Sequence, residues 1–131
     1  MGRLILDTSV LIALERGNVT IEEIIGPDDE VSIAAVTIAE MVNGIDGGAS
    51  SKQATRKRDF EQLLEAVTVQ VYDETVARAH AELLIHSRRA GRPRGAHDLI
   101  IAATARTAGA TVVTYDKTGF DDLPGVAVKR S

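Results

Sequence analysis

Short apolar runs rich in β-branched residues alternate with helical stretches along the whole of this 131-residue chain, and nowhere do two such runs meet across a hairpin turn. Residues 4–6 (Leu-Ile-Leu), 31–34, 69–71 and 111–114 (Thr-Val-Val-Thr) read as strands, with 125–128 as a fifth. Helices fill the intervals. The first runs through Val10, Leu11, Ile12 and Leu14 and closes near Gly17-Asn18; a short second one opens on the capping-box spacing of Thr20 and Glu23. A third opens at Thr37 and stops around Gly44 to Gly48, and a fourth spans about 52–66 with Phe60, Leu63, Leu64 and Val67 on its apolar face. A long fifth starts at Asp73-Glu74, passes through Ala77, Ala81, Leu84 and Ile85, and ends at Gly91 and Pro93. The sixth, 96–108, is small and apolar enough to be buried on most sides. Residues 46–51, Asp-Gly-Gly-Ala-Ser-Ser, are the loosest stretch and are expected to form a mobile loop.

Strands separated by helices require crossover connections, which make a sheet parallel and lay helices on both of its faces. The expected architecture is therefore α/β: a three-layer α/β/α sandwich with a parallel sheet of four to five strands, and a single domain over residues 1–131. The 44% hydrophobic and 26% charged content is that of an ordinary globular chain. No apolar run approaches the roughly 20 residues of a membrane span, and the N-terminus lacks a signal-peptide cleavage site, so a cytoplasmic location is expected. The absence of cysteine excludes disulfides, thiolate zinc sites and cysteine nucleophiles. With Phe60, Tyr72, Tyr115 and Phe120 as the whole aromatic complement, a base-stacking platform is not expected.

In open parallel sheets, ligands bind at the carboxyl ends of the strands. Asp7 follows the first strand and Asp116 the fourth, Glu40 stands in the first turn of the helix after the second strand, and Asp98 opens the helix leading into the fourth. Asp98 reaches the same edge only if its helix begins there and runs antiparallel to the strands. Each acid also has a structural explanation. Asp7 suits a helix cap, Glu40 the capping-box partner of Thr37, Asp98 the complement of a helix dipole, and Asp116 a turn. It is their joint arrival at one edge that points to chemistry. Four clustered carboxylates repel, and a hard divalent cation, Mg²⁺ or Mn²⁺, relieves the repulsion while suiting oxygen ligands. No Ser–His pair shares the edge, so metal-assisted phosphodiester hydrolysis fits best.

The residues also carry a family resemblance. Residues 6–12 (Leu-Asp-Thr-Ser-Val-Leu-Ile), 37–41 (Thr-Ile-Ala-Glu-Met) with Gly44, 97–105 (His-Asp-Leu-Ile-Ile-Ala-Ala-Thr-Ala) and 113–116 (Val-Thr-Tyr-Asp) with Phe120 resemble, in order and over nearly the full length, a PIN domain of the VapC ribonuclease-toxin type. That resemblance implies a Mg²⁺- or Mn²⁺-dependent endoribonuclease that leaves 3′-hydroxyl and 5′-phosphate ends. Asp7, Glu40, Asp98 and Asp116 would be its catalytic acids, and Asp7, Asp98 and Asp116 its metal ligands. It further implies that Ser9 and Thr114 orient water or an acid ligand through their hydroxyls, that the protein is a homodimer, and that a cognate antitoxin inhibits it. Many relatives carry an acid three residues after the Asp116 position, where this chain has Gly119; Asp121 and Asp122 are the nearest substitutes.

Net charge is −4, but eight of the fifteen basic residues fall in two seven-residue windows. Arg88, Arg89, Arg92 and Arg94 stand just before Asp98 and are candidates to hold RNA phosphates, although a basic helix end also complements a helix dipole. Lys52, Arg56, Lys57 and Arg58 read as a solvated helix face. The Gly47-Gly48 stretch lacks phosphate-loop spacing, so no organic cofactor site is assigned. A receiver-like phosphoacceptor domain needs an early acid pair and a lysine after its last strand, and the order here is poor. A catalytically silent PIN relative is disfavoured by the presence of all four acids.

Overall fold

The computed structural model describes residues 2–48, 51–116 and 118–130. In chain order the elements are β1 (Arg3–Leu6), α1 (Thr8–Glu15), α2 (Ile21–Ile24), β2 (Glu30–Ala34), α3 (Ala35–Asp46), α4 (Gln53–Ala66), β3 (Thr68–Gln70), α5 (Glu74–Arg89), α6 (Ala96–Ala108), β4 (Thr111–Thr114) and β5 (Ala127–Arg130). The strands form one sheet in the order β3-β2-β1-β4-β5, and every pairing is parallel.

The two-residue period of a strand divides the apolar residues between the sheet's faces. Leu4 and Leu6, with Ile33 and Val113, pack under α1–α4 against Val10, Leu11, Ile24, Met41, Ile45 and Phe60. Ile5, with Ala34 and Val112, packs on the other face against Val76 and Leu83 of α5 and Leu99 and Ile101 of α6. Ile5, Leu6, Ile33, Val112 and Val113 are completely buried, each contributing about 1.5–3 kcal/mol over an exposed position. Ala102, Ala103 and Ala105 are completely buried and let α6 lie close to the sheet. The helix then ends at Gly109, whose φ of 65° is the left-handed stop that glycine supplies. The expected α/β/α sandwich is the observed one.

Several boundaries differ from the expectation for identifiable reasons. β5 begins at Ala127 rather than at 125, because Gly125 adopts a φ of 75° and turns the chain before pairing with β4 starts. β3 stops at Gln70, opposite Ala34, the last residue of β2; Val71 has no partner left and is exposed. The buried line of α5 is Val76, Leu83 and Ser87, whereas Ala81, Leu84 and Ile85 face outward. Both lines have helical spacing, and only packing against α6 and the sheet selects one. α3 begins two residues before Thr37 and runs through Gly44 to Asp46. Of the expected 46–51 loop, Asp46 therefore closes a helix, while Ala49 and Ser50 lie outside the described residues.

Candidate active site

The strand order reverses at β1, which sends one connection toward β2 and has β4 on its other side. In such sheets the crevice outside the strand ends at this point is the binding position. Asp7 and Asp116 flank it. The Asp7 N–H donates to Val113 O at 3.1 Å, extending the ladder by one residue. Its side chain then caps α1: Oδ1 accepts from Val10 N at 3.2 Å and from Ser9 Oγ at 2.6 Å, and Oδ2 accepts from Thr114 Oγ1. Asp7 is only 3% exposed. The two hydroxyls tie the end of β4 to the start of α1, since Thr114 Oγ1 accepts from Asp116 N at 2.9 Å and Ser9 Oγ accepts from Tyr115 N at 3.1 Å. Ser9 and Thr114 thus both hold Asp7.

Glu40 is in the second turn of α3, because that helix starts at Ala35, and no capping box with Thr37 forms. Thr37 is completely buried and its hydroxyl has no hydrogen-bond partner. Glu40 is instead gripped from outside its own helix: Oε1 accepts from Thr8 Oγ1 at 2.7 Å, and Oε2 lies 3.2 Å from His97 Nδ1.

Asp98 sits in the first turn of α6, which begins at the carboxyl edge as the antiparallel arrangement requires. Asp98 and Asp116 converge on Gly119. A Cβ placed there would stand 2.9 Å from Asp98 Oδ2 and closer still to Asp116 Oδ2. Asp116 Oδ1 accepts the Thr118 and Gly119 N–H groups, each at 3.0 Å.

The two carboxyls are driven apart in acidity. Burial, followed by the negative charges of Asp116, Asp7 and Glu40, pushes the pKa of Asp98 up to about 6, with His97 opposing. The two backbone N–H groups, followed by Arg130 and Arg94, hold Asp116 below the ordinary carboxylate range, against a lesser opposing effect of burial. Asp98 therefore lies in the negative field of the other three acids. Their donors are hard oxygens, the set that Mg²⁺ and Mn²⁺ take. Among the described residues no three acid or histidine side chains stand close enough to hold one ion. Asp98 and Asp116 are the pair that aim oxygens at a common space.

The arginines part company. Arg88 and Arg89 are exposed at the end of α5, where they complement the helix dipole. Arg92 pairs with the Asp122 carboxylate, and Arg94 donates from its two terminal nitrogens to Thr118 O and Asp121 O. Asp121 is held by Arg130 and Asp122 by Arg92. Neither carboxylate is left unengaged to stand in for the acid absent at Gly119. Sequence reasoning passed over Thr8, His97 as a partner of Glu40, and Arg130. Thr8 is adjacent to Asp7 and His97 to Asp98 in the chain, but nothing in the sequence marks Arg130.

Two further concavities have a bearing on function. One, of about 660 Å³, lies at the opposite, amino end of the sheet around Arg3, Glu30, Ser32 and Ala108, and is lined by none of the four site acids. An apolar groove of about 380 Å³ runs between α1, α3 and α4, lined by Leu11, Leu14, Ile21, Met41, Phe60 and Leu63.

Comparison with known proteins gives the family and the fold. A PIN domain family model matches residues 4–126. Ribonuclease VapC5 of Mycobacterium tuberculosis is 37% identical over 124 residues, covering 94% of this chain and 89% of that protein. The crystal structure of VapBC-5, a member of the VapBC family of toxin–antitoxin systems from the same organism, superposes with a TM-score of 0.83 at 31% identity, covering 100% of both chains. VapBC2 from Rickettsia felis, solved with a DNA fragment from its promoter, gives a TM-score of 0.88 at 19% identity and 98% coverage of each chain, a likeness of fold.

Proposed function

Because this chain belongs to the PIN domain family, with VapC ribonucleases among its relatives, we propose that it is a divalent-metal-dependent endoribonuclease, the toxin of a type II toxin–antitoxin pair, acting as one domain over residues 1–131. The observation that carries the reading is the approach of Asp98 and Asp116 to the same side of Gly119, within the field of Asp7 and Glu40.

Asp98 and Asp116 would hold Mg²⁺ or Mn²⁺, with the Asp7 carboxylate adding its negative charge to the site rather than a third direct ligand. The cation would neutralise the acids and act as a Lewis acid toward the phosphate. Ser9 and Thr114 fix the Asp7 carboxylate, and Thr8 with His97 fixes Glu40 so that it orients the attacking water. Attack of that water at phosphorus forms one P–O bond and breaks the bond to the 3′ oxygen, leaving 3′-hydroxyl and 5′-phosphate ends. Arg88 and Arg89, exposed at the end of α5, would supply phosphate contacts.

The partner is an antitoxin, and the apolar groove beside Leu14 and Phe60 is where its apolar segment docks. A second copy of the chain covers the outward Leu84 and Ile85 of α5 with Val71 and Tyr72, giving a homodimer. No helix among the described residues is long and apolar enough to cross a membrane, which accords with a cytoplasmic protein.

The test is cleavage of RNA by the purified, antitoxin-free protein in Mg²⁺, Mn²⁺ or EDTA, with Asp98→Asn in parallel. Cleavage that needs the metal and disappears in the variant supports the reading. Cleavage that survives EDTA or the substitution defeats it.

A further inference from the structure

Arg94 has the sequence position of a substrate contact, four residues before Asp98 and in a run of arginines, yet its surroundings are those of a brace. Its two terminal nitrogens donate to Thr118 O and Asp121 O, and its Nε is buried without a partner. The fork of parallel N–H groups that would grip a phosphate is thus spent on loop carbonyls. From the other side, Arg130 Nε donates to Asp116 O at 3.2 Å, and its terminal nitrogen pairs with the Asp121 carboxylate. Between these two side chains the loop carries Asp116, Gly119 and Asp122. Asp122 has a φ of 58° and is the one non-glycine residue with positive φ among the described residues. A backbone held in that region persists only where its surroundings over-determine it, and the Arg92–Asp122 pair adds a third tie.

We propose that Arg94 and Arg130 are positioning residues: they clamp Asp116 and residues 118–122 between the start of α6 and β5, and so keep the Asp116 carboxylate beside Asp98. The role depends on the metal-dependent ribonuclease reading above and deepens it. The carboxylate pair has no covalent link and repels itself, so an unclamped loop would let Asp116 swing away and the shared cation space would open. Removing a group that holds a metal ligand in place typically costs about 10–100-fold in metal affinity or activity. A lysine cannot substitute, because a single ammonium does not span the two carbonyls that the planar fork of Arg94 bridges.

Full-length Arg94→Ala, Arg94→Lys and Arg130→Ala would each be measured in three ways. These are Mn²⁺ binding by calorimetry without RNA, RNA binding in EDTA, and RNA cleavage across a Mn²⁺ titration. In Arg94→Ala the affinity for Mn²⁺ should fall by about tenfold or more, RNA binding in EDTA should stay unchanged, and high Mn²⁺ should restore part of the cleavage. Arg94→Lys should resemble the alanine variant. Weakened RNA binding with unchanged Mn²⁺ affinity would overturn the proposal and return Arg94 to the substrate. If Arg94→Ala does not fold, Arg130→Ala makes the same comparison from the exposed edge strand. Should the wild type cleave no RNA with either ion, the ribonuclease reading fails by itself, and the Mn²⁺ affinities of the variants still uphold or overturn the clamp. A wild type that binds no Mn²⁺ overturns both.

Discussion

The Thr114 hydroxyl donates to Oδ2 of Asp7 across 107 residues of sequence, and its own oxygen, Thr114 Oγ1, accepts the Asp116 N–H. One side chain thus couples the ends of the two strands that flank the crevice. Asp7, buried and capping α1, is as much a part of the fold as of the site. Thr114→Val keeps the shape and removes the hydroxyl, leaving a buried carboxylate oxygen and a backbone N–H without partners. The expected cost is about 1–3 kcal/mol, read as a lowered Tm, together with reduced cleavage; Thr114→Ser should recover both. A valine variant melting with the wild type would show that the coupling contributes nothing.

Asp98 makes an opposite prediction for stability. Its pKa is raised from 3.8 in the ordinary state to about 6 when folded, so between those values the folded protein binds more protons than the unfolded one. Its contribution to stability is greatest below about pH 4, falls as the pH rises through about 6, and is flat above. Asp98→Asn should abolish cleavage yet raise the Tm of the metal-free protein at neutral pH, with the difference vanishing toward pH 4. Mn²⁺ should then raise the Tm of the wild type alone. Equal melting of the two metal-free proteins at neutral pH would show that Asp98 is not under charge stress. Asp116, shifted downward, behaves conversely and loses its contribution only on strong acidification.

Gly119 is not among the glycines with positive φ, so its backbone accepts alanine; it is the Cβ that meets the Asp116 and Asp98 oxygens. Gly119→Ala should leave folding intact and displace the Asp116 carboxylate. We expect cleavage and Mn²⁺ affinity to drop together by about tenfold. Wild-type Mn²⁺ affinity in this variant would mean that the cation does not occupy the space beside Gly119.

None of the four site acids lines the apolar groove, so binding and catalysis should separate there. Leu14→Glu, at the partly buried lip of the groove, should weaken antitoxin binding by roughly tenfold or more while free toxin still cleaves RNA. Pull-down against the antitoxin beside a cleavage assay decides it, and unchanged antitoxin binding would place the partner elsewhere.

The order of the elements and the edge on which the acids stand were legible in the chain, because both follow from local rules. Leu4, Ile5 and Leu6 are apolar without interruption, as a strand covered on both faces must be, and Asp7 comes next. The Thr20–Glu23 capping box is likewise local and forms as read. Once crossovers make the sheet parallel, Asp7 and Asp116 have no other edge to occupy.

Tertiary structure decided what local pattern leaves degenerate. Two lines of α5 had helical spacing, and packing on α6 chose Val76, Leu83 and Ser87 over Leu84 and Ile85. Arg88 and Arg94 belong to one basic run, yet one stays in solvent and the other is drawn onto loop carbonyls 24 and 27 residues away. Gly119 gave no sign that its missing Cβ is the space two carboxylates share. The helical period and the sheet's chirality act over a few residues and are written in the sequence. Which donor meets which acceptor across a hundred residues depends on how the helices settle on the sheet, and only the assembled fold specifies that.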